Sequence, residues 1–134
     1  EVVARIGCHA LGRTYVVPVT YAYDGEGILI QSHDGLKLRM MRENPSVCVE
    51  VDHVDDLANW RSVIAWGRFE PLVGEAATVA FTRLRARLQA LDVSDTTPGA
   101  GELRPGETPI RTGNGQGVIC RIHLVEKTGR FERR

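Results

Sequence analysis

Residues 32–39, Ser-His-Asp-Gly-Leu-Lys-Leu-Arg, set a hydroxyl, a glycine turn and a lysine where an extended run gives way to a helical one. The first turn of a helix carries free backbone N–H groups, and with Ser32 and Lys37 these would make an anion site. The helix dipole disfavours a cation at that end, so Lys37 suits the position best when an anion neutralises it. An ordinary turn with solvated charges accounts for the same residues, and the glycine spacing matches no P-loop. The second chemical feature is Val17-Pro18-Val19-Thr20-Tyr21. Pro18 cannot donate to a ladder, so this run reads either as a plain edge strand or as one whose free backbone groups meet a planar ligand.

Other features carry less. His9, His33, His53 and His123 lie far apart with no HxH or HExxH spacing, so no histidine metal site is expected. Asp52, Asp55 and Asp56 read as a solvated acidic loop rather than a hard-cation site. The glycine-rich residues 113–117 lack a following Lys-Ser/Thr and precede a strand, unlike a phosphate cradle. Cys8, Cys48 and Cys120 are odd in number with no CxxC, which suits small buried hydrophobes in a reducing compartment. No Ser-His-Asp or Cys-His set can be assembled from order and spacing.

These residues must be positioned by one domain over residues 1–134. The chain balances 17 basic against 17 acidic residues and is 43% hydrophobic, enough for a single real core. That composition excludes disorder as the main state and argues against a general nucleic-acid binder. The fifteen arginines, against two lysines, are scattered and read as genome composition. The apolar runs are far shorter than the ~20 residues a membrane span needs, and no signal peptide is visible. A cytoplasmic protein is the expectation. The chain opens on Glu1 rather than Met, as a trimmed form of a longer chain would.

The pattern predicts strands over 2–8, 15–23, 28–32, 46–52, 60–71 and 117–126. Asp24-Gly25-Glu26-Gly27 reads as a hairpin turn. A short helix is predicted over 36–43, ended by Asn44-Pro45 because the residue before proline avoids the helical region. Val47, Val49 and Val51 alternate with Cys48, Glu50 and Asp52. A long helix is predicted over 74–91, with Phe81, Leu84, Leu88 and Leu91 on one stripe and Arg83, Arg85 and Arg87 as its solvent side. Residues 94–116 read as a long loop and 128–134 as a polar tail. The fold expected is mainly β, a barrel of about six mostly antiparallel strands with one long and one short helix, closure hiding the edges.

Read in order, several segments resemble the pyridoxamine 5′-phosphate oxidase-like flavin-binding split barrels, and more narrowly their nitroimidazole-resistance branch. These segments are residues 5–9 (RIGCH), 15–21 (YVVPVTY), 24–28 (DGEGI), 32–37 (SHDGLK), 43–47 (ENPSV), 61–67 (RSVIAWG) and 126–131 (EKTGRF). The resemblance covers nearly the whole chain, and its specificity lies in the order and spacing of the segments. It implies a homodimer with FMN between subunits. Val17, Pro18, Val19, Thr20 and Tyr21 would lie along the flavin ring. Gln31, Ser32 and His33 would approach the ribityl chain and phosphate, Lys37 would hold the phosphate, and Ser62 would reach the flavin from nearby.

The chain also departs from the pattern of the families it resembles. Leu36 stands where the oxidase proper carries an arginine, and the oxidase's C-terminal signature is missing. Gln31 stands where the nitroimidazole-resistance proteins carry a histidine. The N-terminal helix common in such proteins is not expected within residues 1–134. The resemblance therefore implies an FMN-dependent oxidoreductase without naming its substrate, with Tyr21, Trp66 and residues 94–116 as candidate substrate contacts. A deazaflavin- or haem-binding barrel, a non-catalytic flavin-binding module and a cofactor-free interaction domain stay open on the sequence.

Overall fold

The computed structural model describes residues 1–92 and 117–134; the predicted loop over 94–116 lies outside the described residues. In chain order the elements are β1 (Val3–Ala10), β2 (Arg13–Thr20), β3 (Ala22–Tyr23), β4 (Gly27–Ser32), α1 (Leu36–Glu43), β5 (Ser46–Asp56), β6 (Asn59–Pro71), α2 (Gly74–Asp92) and β7 (Val118–Arg133). The strands form one seven-stranded sheet in the order β2-β1-β5-β6-β7-β4-β3. Every neighbouring pair is antiparallel. The sheet curls so that β2 approaches β4, and the result is a mainly β split barrel. Among the described residues closure by hydrogen bonds is not reached: β2 and β3 remain as edges. Pro18 therefore lies on an edge strand, opposite Arg5, where a missing donor disturbs the ladder least.

The inner face carries the main core. Ala4, Ile6, Val19, Ile28, Ile30, Val47, Val49 and Ile122 pack with Leu38, Met40 and Met41 of α1. The second cluster lies on the opposite face, where Ala80 and Leu84 of α2 cover Ala22, Leu29 and Ile119. β4 is covered on both sides. This explains why its sequence runs Gly-Ile-Leu-Ile without the alternation seen in β5, where Val47 and Val49 are buried and Cys48 and Glu50 are not. Phe81 and Leu88 extend the α2 stripe as predicted, and the arginines of that helix are exposed.

Two boundaries differ from the pattern. Residues 52–56 belong to β5 rather than to an acidic loop, and pair with 59–62 of β6 up to a bulge near Val54. Residues 128–133 belong to β7 rather than to a polar tail, with Ile64↔Thr128 and Asn59↔Arg133 in register. Both stretches are charged and solvent-facing, so they show no apolar alternation. Their strand state comes from pairing with a distant partner. The seventh strand is the two-residue β3, which ends the run predicted as one strand over 15–23.

The hairpin between β3 and β4 is tied by Asp24. Its Oδ1 accepts N–H bonds from Glu26 (3.0 Å) and Gly27 (2.8 Å), and Arg121 lies 2.8 Å from Oδ2. The Asp24 side chain is 4% exposed. Burial alone would raise its pKa, but the two N–H donors with the Arg121 and Arg83 guanidinium groups outweigh that and hold it below the ordinary value. A carboxylate depressed in the folded state adds stability above its unfolded pKa, and that stability is lost as pH falls through the folded one. Asp24→Ala should therefore lower stability at neutral pH by about 3 kcal/mol, because Arg121 stays behind unpaired. It should also flatten the loss of stability below about pH 4, the ordinary aspartate range. Urea denaturation of both proteins at pH 7 and pH 3 checks this; equal midpoints at pH 7 would remove the anchoring role.

Candidate functional site

α1 starts four residues after Ser32 and has no side-chain cap at its N-terminus and no acidic residue in its first turn. Its first N–H groups are thus free of side-chain partners. Lys37 lies in that turn and is half-buried. It makes no ion pair or hydrogen bond among the described residues, and it lies within electrostatic reach of the Cys8 and Cys120 thiols on the inner face. Burial pushes the Lys37 ammonium below the ordinary lysine pKa; the two thiols oppose that shift. Ser32 is buried, and its hydroxyl donates to the His33 carbonyl at 3.1 Å. Free N–H groups and an unpaired, partly desolvated cation are a donor set for an oxyanion such as a phosphate.

The remaining predicted residues separate into several places. Leu29 faces α2 while Ile28 and Ile30 face the core, so the strand alternation sends Gln31 and Ser32 to opposite faces of β4. The Gln31 amide packs against Gly117, where a Cβ would meet it at 2.5 Å. His33 is exposed in the turn. In β2, Val17 and Val19 point to the core, whereas Pro18 and Thr20 are exposed. Ser62 is far off: Ser32 pairs with Val118 and Ser62 with Arg130, twelve positions apart along β7. That separation is roughly 40 Å of strand at about 3.3 Å per residue. Lys37 and Ser62 of one chain thus do not share a pocket. Tyr21 and Trp66 line different clefts. Tyr21 packs against the main core and lines a cleft beside α2, and Trp66 stands over an apolar groove of about 570 Å³ on the outer sheet face beside Val16, Cys48 and Val125.

The family model described as pyridoxamine 5′-phosphate oxidase matches residues 1–130. The chain belongs to this family. An uncharacterized protein of Rhizobium meliloti, RA0666, is 28% identical over 130 residues, covering 95% of this chain and 82% of the relative. Among solved structures, a FAD-binding protein from Mesorhizobium loti superposes with a TM-score of 0.72 at 26% identity, over 100% of this chain and 87% of that one. A putative 5-nitroimidazole antibiotic resistance protein from Bacteroides thetaiotaomicron shares the fold, with a TM-score of 0.66 at 16% identity over 96% and 75% of the two chains.

Within this pyridoxamine 5′-phosphate oxidase-type barrel the three cysteines are free, as read from their spacing. Burial raises the Cys8 thiol and pushes Cys120 up to about 11, so neither is a ready nucleophile. Among the described residues no three His, Cys, Asp or Glu side chains gather to hold a metal, and no helix is long and apolar enough to cross a membrane. Sequence reasoning missed the Asp24–Arg121 pair. The aspartate was visible as a turn residue, but its partner lies 97 residues on, in a strand whose register no local pattern reveals.

Proposed function

We propose that the chain binds FMN as a homodimer and uses it in an oxidoreductase reaction. The observation that carries this reading is the half-buried Lys37, unpaired among the described residues, at the uncapped start of α1. An anion there would neutralise a cation that the fold otherwise buries without a partner, and the flavin 5′-phosphate is the anion that family membership points to. The FAD-binding relative supports flavin as the cofactor class. Bound flavin supplies the two-electron chemistry; the protein positions it and tunes it. Lys37 and the first N–H groups of α1 hold the phosphate. The exposed edge residues Pro18 and Thr20 leave the β2 backbone open to a flat ring.

Two observations support the dimer. The groove around Val16, Trp66 and Val125 leaves large apolar side chains exposed, at 62%, 41% and 76%, as an unpaired interface does. Ser62, one sheet length from Lys37, can reach a flavin held at Lys37 only from a second subunit. The purified protein should therefore keep flavin absorbance bands after desalting and elute as a dimer. Mass spectrometry of the extracted chromophore separates FMN from FAD. A colourless protein that fails to retain added FMN would sink the reading, and a Soret band would replace flavin by haem on the same fold. Reduction of the bound flavin by NADH or NADPH separates an enzyme from a passive carrier.

A further inference from the structure

A second cleft, of about 420 Å³, lies between β3 and α2 and is lined by Tyr21, Ala22, Tyr23, Arg83 and Arg87. Its size lies in the range of small-molecule sites. Arg83 and Arg87 are one helical turn apart on one face of α2, while Arg85 points elsewhere. Within one turn of either arginine, α2 supplies no acidic residue, so the pair is left as like charges on one face. Arg83 makes no ion pair among the described residues; the nearby Asp24 carboxylate is engaged by Arg121 at 2.8 Å. Among the described residues Arg87 donates only to the Glu1 carbonyl, at 3.2 Å. The Glu1 carboxylate is itself held by His53 at 2.8 Å. The Tyr21 hydroxyl has no hydrogen-bond partner among the described residues. The Tyr23 hydroxyl is already committed: it donates to the Gly25 carbonyl and accepts from Lys127, whose ammonium lies 5.3 Å from the ring centre.

We infer that this cleft is a binding site for a planar aromatic anion, a ring bearing a carboxylate or a phosphate. The two guanidinium groups offer paired N–H donors to the anionic oxygens. The tyrosines add aromatic surface at the rim, Tyr21 seated against the main core and Tyr23 with the Lys127 ammonium over its ring, and the Tyr21 hydroxyl offers one further donor. Burial keeps that hydroxyl protonated by raising its pKa, against the pull of Arg87. The cleft contains neither Lys37 nor Ser32, and Tyr21 is the residue it has in common with those expected along the flavin ring. It would serve the chain as a second recognition point, for an aromatic acid or for the phosphate end of a nucleotide.

The test is calorimetric titration of the full chain, as purified, with benzoate and separately with ADP. Saturable binding of either probe is expected, and it identifies the source of the anion. The double substitution Arg83→Gln with Arg87→Gln should weaken binding by about tenfold or more, and Tyr21→Phe by a smaller factor. Arg85→Gln, on the same helix, should leave it unchanged and controls for loss of charge. Lys37→Met should leave the binding that depends on Arg83 and Arg87 unchanged, which keeps this site separable from the flavin reading: a protein that binds ADP through Arg83 and Arg87 but never flavin would refute that reading and uphold this one. The inference is overturned if neither probe binds at millimolar concentration. It is equally overturned if binding is indifferent to Arg83 and Arg87, or is lost on replacing Lys37.

Discussion

Lys37→Met is expected to lower flavin affinity by about ten- to a hundredfold while leaving the fold as stable as before or more so. The affinity change follows from removing one charged donor to a phosphate, worth about 1.5–3 kcal/mol. The stability change has the opposite sign because Lys37 is half-buried with no anionic partner among the described residues, and burial works against its charge. Methionine keeps the length and apolar stem of lysine and removes the charge. An ordinary surface lysine would show neither effect, and a purely structural one would show a stability loss. Flavin fluorescence titration with thermal melting of the apoprotein reads both. The pH dependence supplies a further check. Because the Lys37 pKa is depressed in the unliganded fold, flavin affinity should fall as pH rises through that depressed value, at a pH below the ordinary lysine 10.5. That fall should vanish in Lys37→Met. Undiminished flavin binding by the variant would remove the phosphate assignment.

Gly67→Ala should be among the most damaging single-methyl additions to the sheet. Gly67 sits at the bulge where the β6–β7 register shifts. A Cβ there would stand 2.2 Å from the His123 carbonyl oxygen and 2.9 Å from Ile122 Cγ2. The first of these is backbone held in a ladder, so it cannot swing aside. Overpacking against such a neighbour costs about 3 kcal/mol or more, which for a domain of this size is a fall in melting temperature of roughly 10 °C. Two comparisons separate this from a general intolerance of alanine. At Gly7 the nearest obstacle is the Cys48 thiol at 2.7 Å, the end of a side chain that can turn away, so the loss should be smaller. At Gly35 nothing lies closer than 4.0 Å and the backbone is extended, so the change should cost the least of the three, limited to the poorer capping by alanine at the start of α1. Thermal melts of the three variants rank them; a Gly67→Ala protein that melts with the parent would refute the close approach.

The outer groove and the distant Ser62 bear on one another. A sheet face that leaves Val16 and Val125 largely exposed gains from burial against a second surface. Under the proposed dimer, the same contact would complete the flavin pocket with a residue that the parent chain holds too far away. Dilution should then release flavin and dissociate the dimer together.

The parts of this protein legible in the sequence are those written in local periodicity and local stops. Both bounds of α1 follow from the glycine before it and Asn44-Pro45 after it, and the structure has that helix at Leu36–Glu43. The valine alternation of β5 and the Phe81, Leu84, Leu88 stripe of α2 required only the periods of two and 3.6 residues. The order of short segments carried the family. What the tertiary structure alone decided concerns proximity. The charged stretches 52–56 and 128–133 become strands because a distant partner supplies their hydrogen bonds, which no property of their own residues announces. Gln31 and Ser32 are neighbours in sequence but face opposite sides of β4, one toward the α2 layer and one toward the core. Ser62, which the resemblance sets near the flavin, lies a sheet length from Ser32 along β7. Arg83 and Arg87, a plain solvent face by periodicity, meet Tyr21 and Tyr23 only because α2 packs across β3 and β4. Local chemistry sets which residues can act; the register of long-range strand pairing sets which of them can act together.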